Sequence, residues 1–544
     1  MEAMRTTRTG GWSVRRDDDR AARAYADGWW TRETCADVLR REAARDPDRL
    51  LVSDGTTVLT AGDLYARADH LARVLAARFA PGSVISFMLP NWHEAAVIYM
   101  AATMAGLVAN PVLPSLRDHD LRFILEDARC RMIFVPQSFR GHDCAAMLAR
   151  VCVAMDAPPE VVVLRGAAGD GQTGWEALLA DETAAAMPAG GALPHVDADD
   201  VRMVMYTSGT TGRPKGVLHT HNTIGALIRQ IGRHWRVEPG DAFLVPSPVS
   251  HIGGSIYAFE MPVMLGTRAV LMESWDAAEA VRLIEAEGIS HMAGATPFLQ
   301  GLLDAARAAG TGLPGLKVFI CGGASVPPQL IRDARAHFAG ARVSRVYGST
   351  EVPVTTVGAL DDDEADAAAD TDGRPGIAEV VIAADGEIRA RGPQMMVGYA
   401  RAEDEAAAFD EHGFYRSGDQ GMLLPSGHLV VTGRIKDLII RNGENIAPKE
   451  IEDLLTGHPA IAEIAIVGVP HPRTGERAVA VIVPQGEARP DVAMLAEHLS
   501  ALGVARFKHP EAVALWPDLP RNDAGKVLKN VIRDRLRAAA APAG

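Results

Sequence analysis

The sequence has few cysteines and few aromatic residues, and it has no basic excess. Its 544 residues include five cysteines, which show no C-x-x-C or Cys/His ligand spacing. An odd and sparse set of this kind excludes a disulfide scaffold and favours reduced thiols. Acidic residues outnumber basic ones by 69 to 55, a formal net charge of −14. A general nucleic-acid binder needs a basic footprint, so we expect no nucleic-acid partner.

Long apolar runs are also lacking. The first 25 residues contain no apolar stretch of the secretory type. The longest apolar run, residues 95–109, is shorter than a membrane span, and we interpret it as a buried helix. We therefore expect a cytoplasmic protein with no membrane span. The sequence leaves open whether the chain forms a homodimer.

Short β-rich runs alternate with longer helical patterns, which indicates α/β architecture with largely parallel sheets. The clearest strand-like runs are residues 84–89, 132–135, 161–164, 203–206 and 318–321, and the clearest helical runs are 61–79, 276–287 and 328–338. An acidic, alanine-rich stretch at residues 361–370 is interpreted as an exposed loop.

A chain of this length is too long to fold around a single hydrophobic core, so we expect several structural units. We predict a polar leader of uncertain order at residues 1–26, followed by a large N-terminal lobe of mixed β-sheets flanked by helices at 27–433. A small α+β C-terminal lobe follows at 434–544, because the pattern restarts there as a compact unit.

The strongest chemical signal is the segment YTSGTTGRPKGV at residues 206–217. It has three glycines and four hydroxyl side chains around one arginine and one lysine, after a strand-like run. Glycines allow backbone N–H groups to approach anionic oxygens, and the hydroxyls and Lys215 add donors and charge. The spacing differs from the Walker pattern. A flexible linker is the alternative, but linkers rarely lie between a buried strand and a helix.

This segment resembles the phosphate-binding loop of the adenylate-forming superfamily of AMP-dependent synthetases and ligases, in its acyl-CoA synthetase branch. The resemblance covers nearly the whole chain, from about residue 29. It implies nucleotide contacts along this loop and along GGAS at residues 322–325, which matches the adenine-side loop of the family. The implied nucleotide-binding residues in these two loops are Thr207, Ser208, Gly209, Thr210, Thr211, Lys215, Gly323, Ala324 and Ser325.

The next matching segment is YGSTE at residues 347–351. The resemblance implies that Tyr347 and Gly348 bind the adenine side, that Thr350 contacts phosphate and that Glu351 is a ligand of Mg²⁺. A carboxylate is a suitable ligand for a hard cation that bridges phosphates. Taken alone, this pentapeptide favours a turn at the end of a strand; its position after the first motif favours the nucleotide site.

Two further segments resemble ribose- and hinge-region motifs. YRSGD at residues 415–419 implies that Asp419 binds both ribose hydroxyls, since one carboxylate accepts from two neighbouring O–H donors. Taken alone, it is a turn signal. The stretch 433–448 implies that Arg434 contacts ribose and phosphate and that the small lobe moves about Lys436. It also implies a thiol tunnel lined by Asn442, where glycine is usual, and by Gly443.

The last segment, PRNDAGK at residues 520–526, resembles the motif whose lysine reaches the α-phosphate and the attacking carboxylate. This implies a catalytic role for Lys526. Asn522, Asp523 and Ala524 replace positions that are usually rich in hydroxyls. Outside this series, a lysine near the C-terminus would be interpreted as solvated surface.

The acid-binding region is the segment PVSHIGG at residues 248–254, which resembles a segment with an aromatic–histidine pair. Ser250 stands at the aromatic position. We expect His251 near the substrate carboxylate, and a hydrogen-bonded core histidine is the alternative. This segment contains no Asp that could bind the ammonium group of a substrate, which disfavours amino-acid substrates. By family position, the expected walls of an uncharged acyl pocket are Ile252, Gly253, Ser255, Ala295 and Val352.

The resemblance implies an acyl-CoA synthetase that uses ATP, Mg²⁺ and coenzyme A. A small carboxylic acid is adenylated with release of pyrophosphate, and the acyl group then passes to the thiol. Residues 28–30 and 89–92 look most like ligases for medium-chain or alicyclic acids, by analogy alone. The alternatives are an acyl-AMP ligase that loads a carrier-protein phosphopantetheine and an inactive nucleotide-binding regulator.

Overall fold

A computed structural model of the chain describes residues 5–9, 11–181, 193–208, 213–323, 326–338, 340–441, 444–471, 473–522 and 525–540. Within these residues the chain forms a large α/β lobe followed by a smaller lobe, as the sequence predicts. No helix in the described part of the chain combines the length and apolar character that crossing a bilayer requires.

The large lobe is built on three main sheets. Its strands are β1 (Arg5–Thr9), β2 (Trp12–Arg16), β3 (Leu50–Ser53), β4 (Val58–Thr60), β5 (Val84–Phe87), β6 (Val108–Pro111), β7 (Cys130–Pro136), β8 (Ser138–Phe139), β9 (His142–Asp143), β10 (Glu160–Leu164), β11 (Thr173–Gly174), β12 (Val201–Ser208), β13 (Pro214–Thr220), β14 (Ala242–Val245), β15 (Arg268–Leu271), β16 (His291–Gly294), β17 (Val318–Cys321), β18 (Arg342–Arg345), β19 (Glu379–Ile382), β20 (Glu387–Arg391), β21 (Gly398–Tyr399), β22 (Tyr415–Leu423) and β23 (Leu429–Arg434).

The helices of this lobe pack on the sheets. They are α1 (Asp18–Ala26), α2 (Cys35–Arg45), α3 (Ala61–Arg78), α4 (His93–Met104), α5 (Asp118–Asp127), α6 (Cys144–Val153), α7 (Trp175–Leu179), α8 (His221–His234), α9 (Ile252–Ser255), α10 (Met261–Met264), α11 (Ala277–Ala286), α12 (Thr296–Ala309), α13 (Pro328–His337) and α14 (Ala365–Asp370), and a π-helical segment, Ile256–Glu260, joins α9 to α10.

An eight-stranded sheet has the order β11-β10-β7-β5-β6-β12-β13-β21, and a seven-stranded sheet has the order β18-β17-β16-β14-β15-β3-β4. Both are mainly parallel, with antiparallel pairing at β12–β13 and β3–β4. Helix α4 is buried along its whole length and contributes to the core between the sheets, with Tyr99 stacked on Phe259 at 4.6 Å. The carboxyl ends of parallel strands, where ligands usually bind, carry three of the segments described above: residues 248–254 follow β14, residues 322–325 follow β17, and residues 347–351 follow β18.

The small lobe follows a four-stranded antiparallel sheet, β19-β20-β22-β23. Its strands and helices are β24 (Ile439–Arg441), β25 (Glu444–Ile446), α15 (Pro448–Leu455), β26 (Ile461–His471), β27 (Gly475–Pro484), α16 (Val492–Ala501), β28 (Ala512–Leu515) and α17 (Lys529–Ala540). Strands β26 and β27 pair antiparallel, and β28 joins β27 in parallel. The boundary predicted at residues 433 and 434 falls at the end of β23.

Two local interpretations require correction. The apolar run at residues 95–109 is only partly helical: α4 ends at Met104, and β6 begins at Val108. The stretch 361–370 is not an exposed loop, because α14 forms there and buries Ala368 and Ala369. In the leader at residues 1–26, strands β1 and β2 pair antiparallel and α1 follows them.

Candidate active site

The predicted phosphate loop connects two antiparallel strands. Strands β12 and β13 pair in register with Thr207 opposite Lys215, so the loop projects from the end of a buried hairpin. Residues 209–212 lie outside the described residues. The other predicted site residues that lie outside them are Ala324, Ser325, Asn442 and Gly443.

Lys215 lies against an acidic and an aromatic residue from further along the chain. Its Nζ is 3.7 Å from Asp404 Oδ1 and 5.2 Å from the centre of the Tyr399 ring. Arg213 also binds this acidic group, with a guanidinium nitrogen 3.0 Å from Asp404. The two cations of the loop are thereby directed to one side of the hairpin.

Glu351 is fixed by a residue that the sequence did not single out. The hydroxyl of Tyr399 donates to Glu351 Oε1 at 3.0 Å, and the Met396 N–H donates to the Glu351 carbonyl at 2.8 Å. Glu351 is only 8% exposed. Because Tyr399 also lies beside Lys215, one aromatic ring connects the predicted metal ligand to the phosphate loop.

The backbone of Thr350 is hydrogen-bonded to a buried histidine. His219 Nε2 lies 2.7 Å from the Thr350 carbonyl, and its Nδ1 lies 3.0 Å from Thr223 Oγ1. Burial lowers the pKa of His219 to about 4, so the ring is neutral. Its proton must lie on Nε2, since a carbonyl can only accept. His219 was missed by sequence reasoning; the available signal was a polar residue inside the apolar strand β13.

The YGSTE segment forms a tight turn in front of β22. A Cβ at Gly348 would lie 2.6 Å from the Val354 nitrogen, so only glycine fits there. The Tyr347 N–H donates to Thr356 Oγ1 at 2.7 Å, and the Tyr347 hydroxyl donates to Asp419 Oδ2 at 2.8 Å. The predicted adenine-binding residue and the predicted ribose-binding residue are thus in direct contact.

Asp419 is further ordered by its own strand pair. It lies opposite Arg434 across β22 and β23, and Arg434 Nε is 3.0 Å from Asp419 Oδ1. Its N–H donates to Ser417 Oγ at 3.0 Å. Both carboxylate oxygens therefore have partners, and they lie between a phenol and a guanidinium.

Lys526 belongs to the small lobe, yet it lies close to these large-lobe residues. Burial and, next, the charge of Arg434 lower the pKa of Lys526 to about 8, and Asp419 partly offsets this. The Asn522 side chain accepts from the Lys526 N–H at 2.8 Å, which fixes the turn before the lysine. A Cβ added to Gly525 would be 3.2 Å from Pro297, so this turn lies directly against the start of α12.

His251 lies at the N-terminus of α9. Its Nδ1 accepts from the Gly253 N–H at 3.2 Å. Burial and, next, the charge of Lys526 lower the pKa of His251, which keeps the ring neutral with its proton on Nε2. A neutral N–H donor of this kind can bind a carboxylate oxygen. A Cβ at Gly254 would lie 2.0 Å from the Pro248 carbonyl, so the turn closes only with glycine there.

The expected pocket walls differ in their surroundings. Ile252 and Ala295 are buried, and Ser255 is fully buried, with its hydroxyl 3.4 Å from the Ile252 carbonyl. Val352 belongs to a buried cluster that includes Val217 and Tyr399, beneath the site. Lys436 is exposed in a short 3-10 turn, Ile435–Asp437.

Comparisons with known proteins identify the family of the chain. The chain matches the AMP-binding enzyme family over residues 39–400 and the AMP-binding enzyme C-terminal domain over residues 450–526. It is 31% identical over 539 residues to a medium-chain fatty-acid–CoA ligase of Escherichia coli K12, which spans 95% of this chain and 93% of that protein. It is 32% identical over 518 residues to a 3-[(3aS,4S,7aS)-7a-methyl-1,5-dioxo-octahydro-1H-inden-4-yl]propanoyl:CoA ligase of Rhodococcus jostii RHA1, which spans 93% of this chain and 99% of that protein.

Solved structures show the same architecture. The crystal structure of ATP-bound MatB from Rhodopseudomonas palustris superposes with a TM-score of 0.79 at 27% identity, covering 93% of this chain and 100% of that chain. The two lobes and the site between them define an adenylate-forming enzyme. The chain belongs to the AMP-binding enzyme family, since that match spans more than half of its length.

Proposed function

We propose that the chain is an AMP-forming carboxylate–CoA ligase. In the first half-reaction, a carboxylate oxygen bonds to the α-phosphorus of ATP as the bond to pyrophosphate breaks. In the second, the thiol sulfur of coenzyme A bonds to the acyl carbon, AMP leaves and the thiol proton is released. The observation that carries the proposal is the placement of Lys526, from the small lobe, at the large lobe: an added Cβ on the preceding Gly525 would lie 3.2 Å from Pro297 and 3.8 Å from Ala295. Lys526 is there within electrostatic reach of Arg434, Asp419 and His251.

Adenylation brings a carboxylate against a polyanion, so positive charge must be placed between them. Protonated Lys526 provides it for the attacking carboxylate and the α-phosphate, while the His251 Nε2–H orients the acid. Asp419 accepts from the ribose hydroxyls, and Lys215 binds the phosphate tail. The aromatic face of Tyr347 packs on adenine.

Glu351 suits a magnesium ion. It offers a carboxylate, the ligand type that Mg²⁺ prefers. Its contacts orient it: the Tyr399 O–H donates to one oxygen, the Tyr415 side chain is also hydrogen-bonded to it, and the Met396 N–H donates to its backbone carbonyl. When bound, Mg²⁺ would neutralise charge on the departing pyrophosphate. Tyr399 fixes the carboxylate that would hold the ion.

For thioester formation, the small lobe turns about Lys436 and withdraws Lys526 from the adenylate. This is a domain rotation about a short hinge. The opened side then admits the thiol past Asn442 and Gly443. The exposed position of Lys436 in a 3-10 turn is compatible with a backbone rotation there.

The carboxylic acid that we propose has an uncharged acyl tail of medium-chain or alicyclic type. Ile252 and Ala295 offer it apolar surface, and the two relatives described above are named for acids of these kinds. We also infer a cytoplasmic enzyme, which is supported by five free cysteines, four of them buried.

A screen of pyrophosphate release over aliphatic, alicyclic and aromatic acids tests adenylation. We expect acid-dependent release with ATP and Mg²⁺, and an acyl-CoA product by mass spectrometry once CoA is added. Absence of acid-dependent release across the panel would overturn the proposal. Release followed by transfer only to a holo carrier protein would overturn the CoA step and favour a carrier-loading ligase.

A further inference from the structure

Asn91 is a buried asparagine between β5 and α4 to which no role is assigned above. Only 3% of the surface of Asn91 is exposed. It follows a strand of the eight-stranded sheet, yet its side chain is bonded to the ends of two strands of the seven-stranded sheet. It therefore connects the eight-stranded sheet to the seven-stranded sheet at the carboxyl ends of their strands.

The Asn91 side chain makes four hydrogen bonds. Its Nδ2 lies 3.0 Å from the carbonyl of Val245, 2.9 Å from that of Ser247 and 3.1 Å from that of Met272. An amide nitrogen has two hydrogens, so three carbonyls share them. Its Oδ1 accepts from the Val249 N–H at 2.9 Å. Both the N–H donors and the carbonyl acceptor of the Asn91 side-chain amide are therefore hydrogen-bonded.

Two of these partners, Ser247 and Val249, belong to the segment 246–251, which carries His251. This segment lies between β14 and α9 and has no strand partner. Within the segment the His251 N–H donates to the Pro248 carbonyl at 2.9 Å, and at its end the His251 carbonyl accepts from the N–H groups of Gly254 and Ser255. Asn91 thus sets the path of the backbone that ends at His251.

We propose that Asn91 is a positioning residue that fixes the acid-binding segment and, through it, the Nε2–H of His251. This inference rests on the proposed function, because it requires that His251 contacts the substrate carboxylate. A displacement of about 1 Å at such a donor can cost roughly 100-fold in rate. The effect should reach the acid and not the nucleotide, whose residues lie on other segments.

The test compares Asn91→Asp and Asn91→Leu with Asn222→Leu. Asn222 is a matched control: it is 1% exposed, and its side chain bonds to Thr31, Tyr25 and Asp199, away from the acid segment. Asn91→Asp keeps the side-chain size and the acceptor but loses the donors. Pyrophosphate release is measured with the acid and ATP varied in turn, and thermal unfolding identifies variants that fail to fold.

We expect the Asn91 variants to raise KM for the acid roughly 10- to 100-fold, with KM for ATP changed by less than about threefold. Asn222→Leu should leave the ratio of the two KM values unchanged. Equal shifts of both KM values in Asn91→Asp, or the same ratio as in Asn222→Leu, would overturn the proposal.

A double-mutant cycle with His251→Ala separates positioning from general stabilisation. If Asn91 acts through His251, Asn91→Asp should change KM for the acid little in the His251→Ala background. Additive effects would overturn the inference. If the wild type is active and His251→Ala leaves KM for the acid unchanged, the proposed role of His251 fails with it. No activity in the wild type would overturn the proposed function itself.

Discussion

The hydroxyl of Tyr347 donates a hydrogen bond to the Oδ2 of Asp419 at 2.8 Å. The aromatic face that we propose for adenine and the carboxylate that we propose for ribose are therefore set relative to one another before a nucleotide binds. Arg434 completes the arrangement from the opposite side, at Asp419 Oδ1. Preorganisation of this kind lowers the entropic cost of fixing these side chains on binding.

Tyr347→Phe tests this relationship because it keeps the ring and removes only the donor. Loss of one hydrogen bond to a charged group costs about 1.5–3 kcal/mol, so we expect KM for ATP to rise roughly 10- to 100-fold. KM for the acid should change little. Steady-state pyrophosphate release with each substrate varied in turn provides the measurement, and equal changes in both KM values would contradict a nucleotide-specific role.

Lys526→Ala should separate the two half-reactions. The lysine is needed while a carboxylate approaches the α-phosphate, and removal of one such donor costs roughly 100- to 1,000-fold in rate. Thioester formation from supplied acyl-adenylate and CoA should keep most of its rate, because the proposed rotation of the small lobe withdraws Lys526 before that step. Each half-reaction is measured alone by rapid quench. Equal losses in both would refute the assignment.

The pH dependence of adenylation should report the same lysine. Its pKa is lowered to about 8 by burial and by Arg434, so the ammonium is present below that pH and is lost above it. We expect kcat/KM for adenylation to fall on the alkaline side, by about tenfold for each pH unit well above the pKa. Lys526→Arg, which stays protonated, should be slower but lack this fall. An unchanged alkaline fall in Lys526→Arg would assign it to another group.

Tyr399→Phe tests the support of the predicted metal ligand. The variant removes the hydroxyl that donates to Glu351 and keeps the ring beside Lys215. Loss of a partner that orients a metal ligand typically costs 10- to 100-fold in metal affinity or activity, so a higher Mg²⁺ concentration should be needed for half-maximal pyrophosphate release. Tyr65→Phe, on helix α3, serves as a distant control. An unchanged Mg²⁺ requirement would argue against Glu351 as the ligand.

Regular apolar patterns made much of the fold predictable. The predicted strand at residues 318–321 coincides with β17. The predicted helix at residues 328–338 corresponds to α13, which begins at Pro328, and proline suits the first turn of a helix. The interpretation of residues 361–370 was wrong because a stretch of acidic residues and alanines predicts solvation. Ala368 and Ala369 are instead buried on one face of the short helix α14, and Arg332 of α13 forms an ion pair with Asp370.

The site was predictable only where its residues form consecutive motifs. The contacts that orient those residues come from other parts of the chain: His219 beneath Thr350, Tyr399 beside Glu351 and Asn91 behind the His251 segment. Each carries a polar group on a buried residue outside the nucleotide- and acid-binding motifs that the sequence singles out. A single sequence cannot identify the partner of such a residue, because the partner depends on which sheets pack together.

The two lobes contact each other where the turn at Gly525 meets the start of α12. Gly525 has φ +77°, and an added Cβ would lie 3.2 Å from Pro297 at the start of α12. Gly525→Ala should therefore hinder seating of the Lys526 turn and slow adenylation roughly 10- to 100-fold, with thioester formation from supplied acyl-adenylate retained. Gly503→Ala is the matched control, since Gly503 has φ +76° but nothing within 4 Å of its Cβ position. Both variants carry the same backbone strain, so comparable adenylation rates in the two would show that contact with Pro297 is not required for the first half-reaction.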